Sequence, residues 1–140
     1  MAEALKRGGD AESRRIILIV EDDEVLRMVL RIEFEKNGFN VREADNGKVG
    51  LASMGEMQPD AIITDIEMPV MDGFNFIRAV RNSRRDAAVP IIAISALRSD
   101  GMTEKAVAAG ANRFCEKPLA PSILLALVNG YLSDTAPLSN

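Results

Sequence analysis

Ala61-Ile62-Ile63-Thr64-Asp65-Ile66-Glu67-Met68-Pro69-Val70-Met71-Asp72-Gly73 decides the fold. An apolar run of the kind that makes a buried strand stops on a carboxylate, Asp65. A loop carrying a proline and a glycine follows, and a helical pattern opens at Phe74. In an open α/β sheet, ligands bind beyond the carboxyl ends of the strands, so Asp65 stands where a working carboxylate stands. An aspartate there is also a common turn former or helix cap, and the rest of the chain has to choose.

Upstream, Ile16 to Val20 is a continuous β-branched run of the type buried on both faces, and it ends on Glu21-Asp22-Asp23-Glu24. Charges at a helix N-terminus account for Asp23 and Glu24. Glu21 and Asp22 follow directly on the strand and are less well covered by that explanation. The spacing predicts a first helix from about Glu24 to Asn37, with Val25, Met28, Val29 and Ile32 as its apolar stripe, widened by Leu26, Leu30 and Phe34. Gly38 stops it. Phe39 to Glu43 alternates like an edge strand, and Asp45-Asn46-Gly47 offers a cap for a helix over about Lys48 to Glu56, with Leu51, Ala52 and Met54 facing in.

Downstream, a third helix is expected from about Phe74 to Ser83, burying Phe74, Ile77 and Val80 and ending among Arg81, Arg84 and Arg85. Cations suit a helix C-terminus, so these arginines carry no functional weight in this reading. Val89 to Ile94 reads as a strand ending on Ser95, and an alanine-rich helix runs from about Gly101 to Ala109, closed by Gly110. Arg113-Phe114-Cys115 makes a short fifth strand ahead of Lys117-Pro118, and a last helix spans about Pro121 to Leu132. Five strands alternating with five helices specify an α/β fold: a doubly wound, five-stranded parallel sheet covered on both faces. Residues 1–13 and 134–140 read as polar tails, the first disordered, around one domain over 14–133.

Composition narrows the chemistry. The chain has 140 residues, 47% of them apolar and 4% aromatic, which suits one domain with an aliphatic core. A net charge of -4 argues against a nucleic-acid or anionic-membrane surface. No run approaches the ~20 apolar residues of a membrane span, and the one cysteine, Cys115, forms no internal disulfide. A cytoplasmic setting is expected. Histidine is absent, which removes Ser-His-Asp and Cys-His catalysis and every histidine-metal site. A metal here is a hard cation held by oxygen.

Parallel strands share one carboxyl edge, which then collects Glu21, Asp22, Asp65, Ser95 and Lys117. Carboxylates crowded together raise one another's pKa unless a cation intervenes. Oxygen ligands and an open face suit Mg²⁺, which completes its shell with waters and phosphate oxygens. Lys117 and Ser95 opposite suit the remaining oxygens of a phosphoryl group, and Asp65 is placed as a nucleophile forming an aspartyl phosphate.

From about Arg14 to Ser133 the chain resembles the receiver domains of bacterial two-component response regulators, in particular the single-domain chemotaxis-type members. The resemblance rests on Ile-Leu-Ile-Val-Glu-Asp-Asp-Glu, Pro-Asp-Ala-Ile-Ile-Thr-Asp-Ile-Glu-Met-Pro-Val-Met-Asp-Gly, Ile-Ile-Ala-Ile-Ser-Ala, Ala-Gly-Ala-Asn-Arg-Phe and Lys117-Pro118. It implies a flavodoxin-like sheet in the order 2-1-3-4-5, the order general treatments of this fold use this family to illustrate. It also implies Asp65 as the phosphoacceptor, and Mg²⁺ held by Asp22, Asp65 and the backbone carbonyl of Glu67, with Glu21 acting through water. Lys117 would contact the phosphoryl oxygens, its bond to Pro118 would be cis, and Ser95 and Phe114 would form the switch toward the fourth helix, fifth strand and fifth helix. Glu21 stands where Asp is commoner, Ser95 where Thr is frequent, and Phe114 lacks the hydroxyl of the tyrosine seen in many members.

The resemblance further implies a sensor histidine kinase or histidine phosphotransfer protein as donor, acting in trans, and a protein target downstream. That target could be a flagellar motor, a relay or a kinase. The state would be a monomer or a phosphorylation-dependent dimer, with no enzymatic turnover beyond self-phosphorylation and self-dephosphorylation. Asp65-Ile66-Glu67 also resembles the nucleophile-plus-two pattern of haloacid-dehalogenase-type phosphatases. Those enzymes place the nucleophile after the first strand, and this chain reverses the order. A flavodoxin-like mononucleotide site would need a phosphate-cradling loop after the first strand, where acids stand instead. A degenerate receiver would lack the five-residue set.

Overall fold

The computed structural model describes residues 14–83, 85–97 and 99–134. Arg84, the tail expected at 1–13, and residues 135–140 of the expected C-terminal tail lie outside the described residues. Strands β1 (Ile16–Val20), β2 (Asn40–Ala44), β3 (Ala61–Asp65), β4 (Ile91–Ser95) and β5 (Arg113–Glu116) alternate with helices α1 (Glu24–Lys36), α2 (Gly47–Met54), α3 (Gly73–Asn82), α4 (Met102–Ala109) and α5 (Pro121–Asp134). All pairings are parallel and the order is β2-β1-β3-β4-β5, as the family resemblance implied.

The continuous apolar runs are explained by burial from both sides. Leu18, Val20, Ile62, Ile91 and Ala93 face one core with Phe76, Ile77, Val80, Met102 and Ala106 from α3 and α4. Ile17, Ile19, Ile63, Ile92 and Ile94 face the other, with Leu30 and Phe34 of α1 and Leu124, Val128 and Leu132 of α5. Each such aliphatic side chain taken fully out of water stabilises the fold by about 1.5–3 kcal/mol.

On α1 the stripe named from spacing is the wrong one. Val25, Met28, Val29 and Ile32 are 65%, 43%, 39% and 50% exposed, while Leu30 and Phe34 are buried and Leu26 is partly so. The helix carries two apolar stripes, each at helical spacing, and periodicity cannot rank them. Packing does, because Phe34 meets Phe39 edge-on at 5.2 Å between ring centroids. On α2 Ala52 is exposed and Gly50 takes the inward place, and on α3 the buried ring is Phe76, with Phe74 half-buried. Strand β4 begins at Ile91, after Pro90 rather than before it, and α5 continues through Asp134. Arg81 does more than face a helix dipole. Its guanidinium donates to Gly110 O, Ala87 O, Val89 O and Asn112 Oδ1, tying the end of α3 to the chain on either side of β4.

Candidate functional site

Register brings the polar residues level. Val20 pairs with Thr64, so Glu21 emerges beside Asp65, and Asp65 in turn lies beside Ile94, next to Ser95. Ser95 pairs with Glu116, and Lys117 N donates to Ser95 O at 2.8 Å, which sets Lys117 over the same edge. The Lys117–Pro118 bond is cis, as the resemblance implied. Asp23 caps α1, accepting from Val25 N and Leu26 N, and is thereby separated in role from Asp22.

Glu21, Asp22 and Asp65 each offer a carboxylate oxygen within 4.8 Å of the others. Glu21 is fully buried and Asp65 nearly so, whereas Asp22 is exposed at the rim. Lys117 Nζ stands 3.0 Å from Glu21 Oε1 and 3.4 Å from Asp65 Oδ2. The first contact is an ion pair without the alignment of a hydrogen bond, so Glu21 Oε1 is buried with no hydrogen-bond partner. Glu21 Oε2 accepts from Asp23 N, and Asp65 Oδ1 accepts from Ile66 N at 2.8 Å and Glu67 N at 3.4 Å.

Burial, followed by the charge of Glu21, pushes the Asp65 carboxyl up to about 7 against the pull of Lys117. Burial raises Glu21 as well. Burial alone would lower Lys117, but Glu21 and Asp65 more than offset it and hold the ammonium above its usual range. One lysine does not compensate three carboxylates. A buried carboxylate oxygen without a hydrogen-bond partner, an all-oxygen donor set and an open rim fit a hard divalent cation.

The loop after β3 is shaped by close approach. A Cβ on Gly73 would lie 2.2 Å from Asp65 O and 2.6 Å from Ile66 Cα, so only glycine lets α3 start this near the backbone at the end of β3. Asp72 caps that helix through Asn75 N. The Asp-Gly pair was the visible signal for this turn; its contact with Asp65 was not visible. Sequence reasoning also missed the Glu67 side chain, which accepts a hydrogen bond from Ser95 Oγ at 3.1 Å. Arg27 was missed too: its guanidinium donates to Glu21 O at 2.6 Å and pairs with Glu43, steadying the acidic loop. Phe114 lies half-buried against the α3/α4 core, one strand from Ser95.

The family model for the response regulator receiver domain matches residues 17–129. The chain is 36% identical over 118 residues to the chemotaxis protein CheY of Bacillus subtilis, covering 84% of this chain and 97% of that one. It is 34% identical over 121 residues to the response regulator MprA of Mycolicibacterium vanbaalenii, covering 86% of this chain but 52% of that protein. The chain thus spans about half the length of the MprA relatives it matches. The receiver domain of sensor histidine kinase PA1611 from Pseudomonas aeruginosa, solved with magnesium coordinated in its active-site cleft, superimposes with a TM-score of 0.79 at 29% identity, over 86% of this chain and 98% of that one. These relatives are bacterial, and no helix among the described residues is long and apolar enough to cross a membrane. With the family model covering residues 17–129 of its 140, the chain belongs to the response regulator receiver domains.

Proposed function

We propose that the domain accepts a phosphoryl group on Asp65 in a Mg²⁺-dependent reaction and passes the change to a protein partner. The observation that carries this reading is the meeting of Asp65 with Glu21, Asp22 and Lys117 at one strand edge. An Asp65 carboxylate oxygen attacks phosphorus, and the bond from phosphorus to the donor breaks. For a phosphohistidine that bond is P–N, its electron pair stays on the imidazole, and the product is an acyl phosphate. The 140 residues contain no histidine, so the donor lies outside them. Mg²⁺, when bound, neutralises charge on the phosphoryl oxygens; Asp22, Asp65 and the Glu67 carbonyl would hold it, with Glu21 through water. Lys117 offers its ammonium to a phosphoryl oxygen, and Ser95 its hydroxyl to another. Movement of Ser95 makes room for the Phe114 ring, altering the face of α4, β5 and α5 that a partner reads. Water then returns Asp65 and inorganic phosphate.

Incubation with acetyl phosphate and Mg²⁺ tests the reading. One base-labile phosphoryl group per chain is expected in the mass spectrum, absent without Mg²⁺ and absent in Asp65→Asn. Normal labelling of Asp65→Asn would overturn it. Steady turnover of a phosphomonoester, lost in the same variant, would favour a phosphatase instead.

A further inference from the structure

Ser95 and Glu67 close a contact that phosphoryl transfer does not use. Ser95 is fully buried at the end of β4. Its Oγ lies 3.1 Å from Glu67 Oε1 and 3.0 Å from Leu97 N. A hydroxyl has one proton to give and lone pairs to receive with. Leu97 N–H donates to the oxygen, so the proton goes to the Glu67 carboxylate. While that bond stands, Ser95 has nothing to donate to a group on Asp65.

We propose that the Glu67 side chain is a latch on Ser95, and that a phosphoryl group on Asp65 releases it by competing for the same hydroxyl proton. The proposal rests on the reading of Asp65 as phosphoacceptor. Glu67 follows Asp65 by two residues, and its backbone N–H lies 3.4 Å from Asp65 Oδ1, so its side chain leaves the chain right beside the acceptor. A phosphoryl group there brings close to two negative charges and several acceptor oxygens. It therefore repels the Glu67 carboxylate and offers Ser95 a replacement partner in one event. A hydrogen bond to a carboxylate is roughly twice as strong as a neutral one, so the latch sets a threshold for switching. Ser95 cannot serve both acceptors, which makes the exchange two-state rather than graded.

Glu67 could also act only as a negative charge near an anion site, and a double-mutant cycle separates the two. Beryllofluoride, a phosphoryl mimic, is titrated in excess Mg²⁺ into the full chain, Glu67→Ala, Ser95→Ala and the double variant. Release of the latch predicts about tenfold tighter binding in Glu67→Ala, shrinking at least threefold when Ser95 is already alanine. Equal tightening in both backgrounds would mean charge alone and overturn the latch. A second readout needs neither metal nor mimic: the Leu97 amide resonance should move in Glu67→Ala and in the size-preserving Glu67→Met, because the oxygen it bonds has changed partner. An unmoved Leu97 amide overturns the proposal. Failure of wild-type chain to bind beryllofluoride at all would instead count against Asp65 as acceptor, with the Leu97 readout still able to judge the latch.

Discussion

Glu21 and Asp65 leave β1 and β3, in the middle of the sheet, whereas Phe114 lies on β5, where the sheet ends. Every residue of β3 is buried, while β5 runs from exposed Arg113 through half-buried Phe114 and Cys115 to exposed Glu116. The central acids have both neighbouring strands and two cores to hold them, so their spacing is fixed by register. The edge residues have one neighbouring strand and packing that is incomplete. Ser95 lies between these regimes, buried but joined to Glu67 by a single exchangeable bond. Register-fixed charge in the middle and looser packing at the edge suit the ion binding and switching proposed above.

Breaking the fixed half should have the largest effect. Asp22→Ala should weaken Mg²⁺ binding on the order of 100-fold, at least the effect usual for perturbing a metal site. Asp23→Ala removes a helix cap and should cost about 1 kcal/mol of stability while leaving Mg²⁺ affinity within about twofold. Calorimetric titration of both variants checks this, and equal losses of affinity would contradict the division of roles.

The pH dependence sharpens the same half. Asp65, raised to about 7, faces Glu21, Asp22 and Lys117. Mg²⁺ needs the carboxylate, so its affinity at pH 6 should be about tenfold below that at pH 8. For the metal-free protein the sign runs the other way. A folded-state pKa above the unfolded one gives stability that is present at low pH and lost as pH rises through about 7. Thermal melts from pH 5 to 8 should therefore fall without Mg²⁺ and flatten or recover with it. A metal-free melting temperature that rises through pH 7 would contradict the burial of charge described for Asp65.

The movable half predicts smaller changes. Phe114→Ala should leave labelling of Asp65 within about twofold, because the ring packs against the α3/α4 core and carries no group that the reaction uses. Beryllofluoride-induced amide shifts in α4 and α5 should shrink by about half or more, through loss of the packing change that carries them. Full-sized shifts in that variant would send the signal by another route. Smallest is the effect at Val70, a β-branched residue held at φ 74° and 76% exposed in the loop after β3. Val70→Asn should stabilise the fold by about 0.5 kcal/mol, since asparagine tolerates the left-handed region better. A shift in the urea midpoint reads it out.

The strands and the acids that end them were legible because buried parallel strands write themselves as unbroken apolar runs that end abruptly, whereas the strand order came from family likeness. The inward face of α1 was not, because Val25, Met28, Val29 and Ile32 are as regularly spaced as Leu26, Leu30 and Phe34. Packing selects between them: Leu30 and Phe34 join the core shared with the sheet and α5, where Phe34 also meets Phe39. Glu67 was expected as a backbone ligand through family likeness alone. Its side-chain bond to Ser95 depends on the loop after β3 meeting the end of β4, which no local pattern encodes. Gly73 announced a turn, but the absence of room for a Cβ beside Asp65 O is a fact of tertiary approach.

Borohydride reduction of the acetyl phosphate-labelled protein, followed by peptide mass spectrometry, tests the central claim most directly, because it converts a phosphorylated aspartate to homoserine. The account predicts homoserine at position 65 and at no other aspartate, with Asp22, Asp23 and Asp72 intact. Homoserine at any of those three, with Asp65 unchanged, would contradict it.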